Sequence, residues 1–432
     1  MISPERYLSI DVKAIWRQLK QEPFHFWLFC GYLIFEYVRP QQIYPFIDII
    51  PWAKLLVLGT LIGTFLAKEE APPSTPLAKY YWGLMLAVFL SCVFAEFPGY
   101  SFSKFFEAFN WLIIFYLFIR IVTSRFRFFI VLLLILLASY KMSQHAAISW
   151  ARRGFTFERW GIAGGAGFFG NAADLGVQML LVLPLSIVFY QVCHTYWGRF
   201  KKILFLLFPL TVLMAIIATG ERNTLVGLAG MCLVFVLTQK NRLKNIILIS
   251  IFAAVFIAAM PQELKDRFDT IGKDNTSLSR ITYWKRGIDF FKEHPIVGIG
   301  YYNWIPYYVK YHPGESLRQD HQEIAHSTPI IVLAELGVLG FIFYYCIAVR
   351  MILLNIRSSK IARLDNERLW ESIPFGLNIG IIGFLGASIF ITVTFYPFLF
   401  IHASLTAALH NVLIKERRAI TEKNHDSIIE SL

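Results

Sequence analysis

A histidine stands at the threshold of an apolar helix in IAHSTPIIVLAELG, residues 324–337. Thr328 followed by Pro329 is a natural N-cap and N1 pair, so His326 is expected just outside the helix start. The positive end of a helix disfavours imidazolium and favours the neutral ring, which can accept a proton from a hydroxyl group. A histidine that is merely hydrogen-bonded near an interface is the plain alternative, and the local sequence leaves both open. Arg222, in TGERNTLVG, sits in a tight turn between two apolar stretches. If Asn223 or Thr224 caps the following helix, its first N–H groups share a water layer with the guanidinium and make an anion site. An arginine that extends out of the bilayer explains the same residue without chemistry. Arg280 lies four residues before Trp284 in TSLSRITYWKRGIDFFKEHP. Alone, it would read as a solvated side chain on an amphipathic helix.

Other motifs carry less. GAGFFG (165–170) matches GxGxxG literally, but no strand precedes it and no βαβ unit follows, so flexible loop glycines account for it better than a nucleotide. His312, Asp320, His321 and His326 share one segment without HxxxH spacing on a single helix, and no metal is expected. The stretch GIGYYNWIPYYVKY gathers five tyrosines and Trp304 within 298–311. It reads either as an aromatic belt at the membrane surface or as a wall on which the apolar faces of sugars stack. Gly376, Gly380, Gly383 and Gly386 form a small-residue face suited to close helix packing.

The elements that must position these groups lie in a membrane. The chain of 432 residues is 56% hydrophobic and only 16% charged, whereas a soluble domain carries about 25% charged residues. Apolar runs near the ~20 residues needed to cross a bilayer recur, and twelve spans are read at 24–38, 51–67, 80–95, 106–122, 128–148, 174–192, 203–219, 223–239, 245–260, 328–350, 372–393 and 397–414. The first is short and contains Glu36. With the N-terminus inside, the cytoplasmic segments and the inner ends of spans hold 24 Lys and Arg against six in the short outer loops. That bias follows the rule that basic residues stay inside, and it explains the net charge of +12 without nucleic acid. The five cysteines mostly lie in apolar segments without CxxC spacing and read as small core residues.

The expected architecture is therefore an all-α polytopic membrane protein of about twelve transmembrane helices. Residues 1–23 form a cytoplasmic amphipathic N-terminus without a cleavable signal, with Leu8, Val12, Ile15 and Leu19 on one face. Helices one to nine occupy 24–260, a large, partly helical outer loop 261–327, helices ten to twelve 328–414, and a cytoplasmic tail 415–432. Loops as long as 261–327 without function or internal structure are uncommon. Within it Ile281, Trp284, Ile288 and Phe291 follow helical spacing up to the stop at Pro295. By this topology Arg222, Arg280 and His326 all lie on the outer side.

The ordered set resembles the O-antigen ligase and O-antigen polymerase superfamily. The resemblance rests on SRITYWKRGIDFFKEHPIVGIGYYNW (279–304) followed by AHSTPIIVLAELGVLG (325–340). In them come Arg280, Trp284, His294-Pro295, Gly298 and Gly300, then His326, then Glu335, Gly337 and Gly340. ERNTLVGLAG (221–230) and GFFGNAADLG (167–176) are similar to earlier family segments, while Ser327 stands where asparagine is common. The resemblance implies a C-type glycosyltransferase fold and, without a metal or other cofactor, transfer of a glycan from undecaprenyl diphosphate onto a hydroxyl at the periplasmic face of the bacterial inner membrane. The acceptor would be lipid A-core, a protein or a second lipid-linked glycan. It implies His326 as base and Arg222 and Arg280 as diphosphate ligands, with Arg153, Tyr302, Asn303 and Trp304 as further substrate contacts. A lipid-glycan flippase is the competing class, although carriers place their sites near the bilayer midplane and the polar cluster here gathers on one face.

Overall fold

The computed structural model describes residues 4–67, 72–157, 161–165, 167–239, 241–258, 265, 275–314, 324–364 and 368–430. Helix is the only regular secondary structure among them. Each of the twelve expected stretches lies on a helix: α3 (Phe24–Tyr37), α5 (Trp52–Leu66), α6 (Ala78–Val93), α7 (Pro98–Ile121), α8 (Arg125–Arg152), α9 (Ala172–Cys193), α10 (Arg199–Ala218), α11 (Arg222–Thr238), α12 (Arg242–Ala258), α15 (Thr328–Leu364), α16 (Arg368–Ser388) and α17 (Pro397–Glu430). The shorter α1 (Pro4–Leu8), α2 (Val12–Leu19) and α4 (Pro40–Ile43) stand near the N-terminus, and α13 (Asn275–Glu293) and α14 (Trp304–Tyr311) belong to the long loop. Among the described residues seven helices, α7–α10 and α15–α17, are long and apolar enough to cross a membrane. The helices α5, α6 and α11 are apolar but shorter.

Sequence composition sorts these helices into centre and periphery. α17 begins PFLFIHASLTAALHNVL, with small and weakly polar residues all round, and is buried over nearly its whole apolar length. α10 is rich in leucine and turns Ile203, Leu206, Leu207 and Leu210 outward, the side a bilayer would cover. The glycine face of α16 packs as its sequence predicts. Gly376 and Gly380 lie against α9, and Gly383 and Gly386 against Met231 and Gly227 of α11.

Several local expectations shift. The amphipathic N-terminus is two helices rather than one, broken at Ile10 (φ 53°), with Asp11 capping α2 through the N–H groups of Lys13 and Ala14. It docks on the bundle, where Trp197 Nε1 donates to the Leu8 carbonyl and Lys201 to those of Ser9 and Ile10. Val12 faces outward while Leu8 and Ile15 are buried. The buried face of α13 is Ser279, Tyr283, Gly287 and Phe290 rather than the expected Ile281, Trp284, Ile288 and Phe291; Ile281 is exposed and the other three are half-buried. Aromatic residues, among them Tyr283, Phe290, Trp304, Tyr307 and Tyr308, dominate the core that α13 packs into. Tyr301, Trp304, Tyr307 and Tyr308 are buried, so most of the expected belt is core, and Tyr302 and Tyr311 alone of the five tyrosines are exposed.

Helix α15 is broken at Gly337 (φ 61°, ψ −165°). A break inside the membrane frees backbone groups that must find partners, and the segment after α13 supplies them. The N–H groups of Ile299 and Gly300 donate to the carbonyls of Ala334 and Glu335, and those of Val338 and Leu339 to the carbonyls of Pro295 and Ile296. Ser91 of α6 gives the Glu335 carbonyl a second donor at 2.7 Å. Gly298 and Gly337 lie at the closest approach, each with φ above zero and with the other strand's backbone where a Cβ would stand.

Candidate functional site

His326 ends the long loop with φ 48°, a left-handed backbone that costs a non-glycine residue on the order of 1–3 kcal/mol and clusters at functional sites. Its neighbours fix that geometry. Ser327 N–H donates to Thr392 Oγ1 at 3.1 Å, and both the N–H and the hydroxyl of Thr328 donate to the Ile391 carbonyl at 2.9 and 2.7 Å. Val393 N–H in turn donates to Thr328 Oγ1 at 3.0 Å. Thr328 thus opens α15 as its first residue and spends its hydroxyl on the chain leaving α16, so the cap expected from Thr328-Pro329 falls one residue earlier, at Ser327.

Arg280 is coupled to this segment through its own helix. One turn after it, Trp284 Nε1 donates to the Ala325 carbonyl at 2.9 Å, and the Trp284 ring packs on Phe390, 5.7 Å between centroids. Arg280 itself is half-buried. Arg222 is the first residue of α11, so Asn223 and Thr224 lie inside the helix and do not cap it; Glu221 holds the N-cap position without a side-chain cap bond. Both side chains are buried, and the Asn223 Nδ2 and Thr224 Oγ1 have no hydrogen-bond partner among the described residues. Arg222 stands five residues, about 7.5 Å along the axis, beyond the Gly227 contact with Gly383 and Gly386. The chain that leaves α16 past that same contact reaches Ile391 and Thr392. Arg222, Arg280 and His326 therefore lie at one end of the bundle. Arg153, the C-cap of α8, is exposed. The loop it begins returns to the turn before Arg222, where Ile162 N–H donates to the Ala218 carbonyl.

The remaining expected contacts divide. Tyr302 has φ 63° and an exposed ring with the Lys104 ammonium 5.3 Å from its centroid. Asn303 is fully buried; its Oδ1 accepts from Phe97 N–H at 2.8 Å and its Nδ2 donates to Ser101 Oγ at 2.6 Å and the Tyr301 carbonyl at 3.2 Å. Its amide therefore positions the loop. Trp304 N–H, the first of α14, donates to Glu335 Oε1 at 3.0 Å. A carboxylate at a helix start is favourable, so Glu335 anchors α14 while its own carbonyl binds the loop at the helix break. In the sequence Glu335 shows only as part of the Glu335, Gly337, Gly340 motif. Asp320 and His321 lie outside the described residues.

A cavity of about 710 Å³ opens beside His326, between α3, α5, α7 and residues 392–396. Ile324 and Thr392 belong to its wall, as do Tyr302 and Trp304 of the expected set. Arg153, Arg222, Arg280, Asn303 and His326 are not among the described residues that line it. Glu36 and Lys54 do line it. Each had a signal, since an ionisable residue inside an apolar span points to function by default.

Residues 205–345 match the O-antigen ligase family model. The matched stretch holds Arg222, Arg280, His326 and the Glu335–Gly340 break, so the family resemblance read from the motifs holds over the elements just described. The O-antigen ligase and polymerase type comprises glycosyltransferase-like membrane enzymes acting on polysaccharides. No curated protein matches the chain. The far walls of the cavity, on α3, α5, α7 and 392–396, lie outside the matched stretch.

Proposed function

We propose that the protein is an inverting glycosyltransferase of the O-antigen ligase type, moving a glycan from undecaprenyl diphosphate to an acceptor hydroxyl at the periplasmic face of the bacterial inner membrane, with both termini in the cytoplasm. The observation that carries the reading is the hydrogen-bonded seam 325–328, which couples the Arg280 helix to the His326 turn at the end of the bundle where α11 begins with Arg222. In this reading the acceptor oxygen attacks the anomeric carbon, its proton passes to the His326 imidazole, and the anomeric carbon–oxygen bond to the diphosphate breaks with inversion. The electron pair leaves on the phosphate oxygen, where Arg222 and Arg280 stabilise the growing charge, bidentately where geometry allows. No metal is needed, because the guanidinium groups supply the electrophilic help. Arg153 extends the basic rim towards the diphosphate, and the exposed Tyr302 ring offers an aromatic face to sugars.

The test is reconstitution of the full chain in nanodiscs with a lipid-linked oligosaccharide and candidate acceptors. Glycan transfer without an energy source is expected, and the acceptor used separates ligase from polymerase. ATP- or gradient-dependent translocation of the lipid-linked glycan, with no transfer product, would sink the reading.

A further inference from the structure

We infer that the cavity between α3, α5 and α7 is the acceptor chamber, built for an uncharged sugar that carries the accepting hydroxyl; this rests on the transferase reading above. The argument begins with position. Ile324 faces the cavity, whereas the Ala325 carbonyl next to it is bonded to α13, the Arg280 helix. Arg222 and Arg280 stand on elements that do not line the cavity. An inverting displacement needs the nucleophile and the leaving group on opposite faces of the anomeric carbon. With the diphosphate at the arginines, the side left for the nucleophile is the cavity side of the 324–328 segment.

The chemistry of the lining then selects the class. Lys54, at the start of α5, is the one cation among the described lining residues, against the carboxylates of Glu36, Glu107 and Glu335. All three carboxylates are engaged, Glu36 with Arg39 at 4.0 Å, Glu107 with Lys104 at 2.7 Å and Glu335 with Trp304 N–H. A phosphorylated sugar would meet repulsion here, and the guanidinium beside the lining, that of Arg39, is already held by Glu36 and stacked over Phe168. A neutral sugar would meet aromatic faces in Tyr302 and Tyr396 and acceptors and donors in Glu36, Asn110 and Thr394. The Thr394 hydroxyl is the sharpest sign. It is buried, it belongs to a lining residue, and it has no hydrogen-bond partner among the described residues. Buried hydroxyls without a partner are costly and rare in native proteins, and a sugar hydroxyl would supply one. The exposed Phe106 on α7 and exposed Lys54 on α5 mark an entrance between these helices.

The experiment uses full-length protein in nanodiscs with a lipid-linked donor and two glycolipid acceptors, one ending in a neutral hexose and the other in the same hexose 6-phosphate. The neutral acceptor is expected to be used at least tenfold better. Thr394→Val and Asn110→Leu are expected to raise the KM for that acceptor about tenfold, the cost of one or two lost sugar hydrogen bonds, with the donor KM unchanged. Thr394→Ser should restore it, which separates a lost hydroxyl from a misfolded chain. A rise in donor KM, or no change in either KM while wild type transfers normally, overturns the assignment. Preference for the phosphorylated acceptor overturns the neutral class. Wild-type protein that binds no lipid-linked donor overturns the transferase reading itself, and the chamber falls with it.

Discussion

An imidazole acts as a base only when its ring is held where the proton leaves, and His326 is held by its backbone. The left-handed φ of 48° survives because Ser327 and Thr328 are bonded to the chain beyond α16 on one side and Ala325 to Trp284 on the other. His326→Ala is expected to lower kcat by about 10²–10⁴-fold, the usual worth of a positioned base, with insertion and donor binding intact. Radiolabelled transfer and a donor-binding assay check the two halves, and full activity of the variant removes the base assignment. Arg280→Lys keeps the charge and loses the planar fork; a fall in kcat/KM of at least tenfold, about 1.4 kcal/mol, is expected in the same assay. Both residues are proposed on residue type and motif order, features that a sequence displays directly. The role of Glu335 is not legible there, since nothing in the sequence shows that its carboxylate receives the first N–H of a helix 31 residues earlier.

At the scale of elements, the broken helix α15 organises the loop segments packed against it. Its freed groups hold residues 295–300, and Glu335 holds α14 in line behind them. Sequence periodicity reads straight through Gly337, because an apolar run looks the same broken or whole, and the glycine's φ appears only in the fold. Gly337→Ala would combine a left-handed alanine with a Cβ set against the Ile296 carbonyl. Loss of the folded protein on gel filtration is expected. Glu335→Ala should leave Trp304 N–H without an acceptor, about 1–3 kcal/mol, whereas Glu335→Gln keeps an accepting oxygen and most of the stability, a contrast that thermal unfolding in detergent resolves. The far end of α14 is tied to the α6–α7 turn by Lys310, which bonds the Glu96 carboxylate together with Tyr311. These hydrogen bonds hold Glu96 below its ordinary pKa and raise Lys310. A depressed carboxylate stabilises the fold above its unfolded pKa and loses that contribution as pH falls through the folded one. Hydrogen exchange in α14, taken relative to the intrinsic amide rate at each pH, should therefore be unchanged from pH 7 to 6 and quicken below the ordinary carboxylate range near 4. Lys310→Met should show the faster exchange already at pH 7.

The whole molecule joins two halves whose legibility differs. The helical stretches and their order were readable because each apolar run stands out from the polar segments that flank it. The cavity was not, because its walls come from α3, α5, α7 and 392–396, and no local pattern brings Glu36 beside Thr394. What sets one half against the other is α16, which carries α11 on its glycine face and delivers residues 390–393 to the His326 turn. The position of Arg222 relative to His326 is thus a property of helix packing far from either residue. A Cβ at Gly227 would meet the Gly383 carbonyl, the Leu180 side chain and Ala387. Gly227→Leu must push α11 away from α9 and α16, and Arg222 moves with the helix. Gly230, one turn further along α11, has open space around its missing side chain. Gly230→Leu adds the same bulk to the same helix without a clash. Gly227→Leu is expected to weaken lipid-linked donor binding at least tenfold, Gly230→Leu to leave it within twofold. Equal donor affinity in both variants would mean that α16 does not set the position of Arg222.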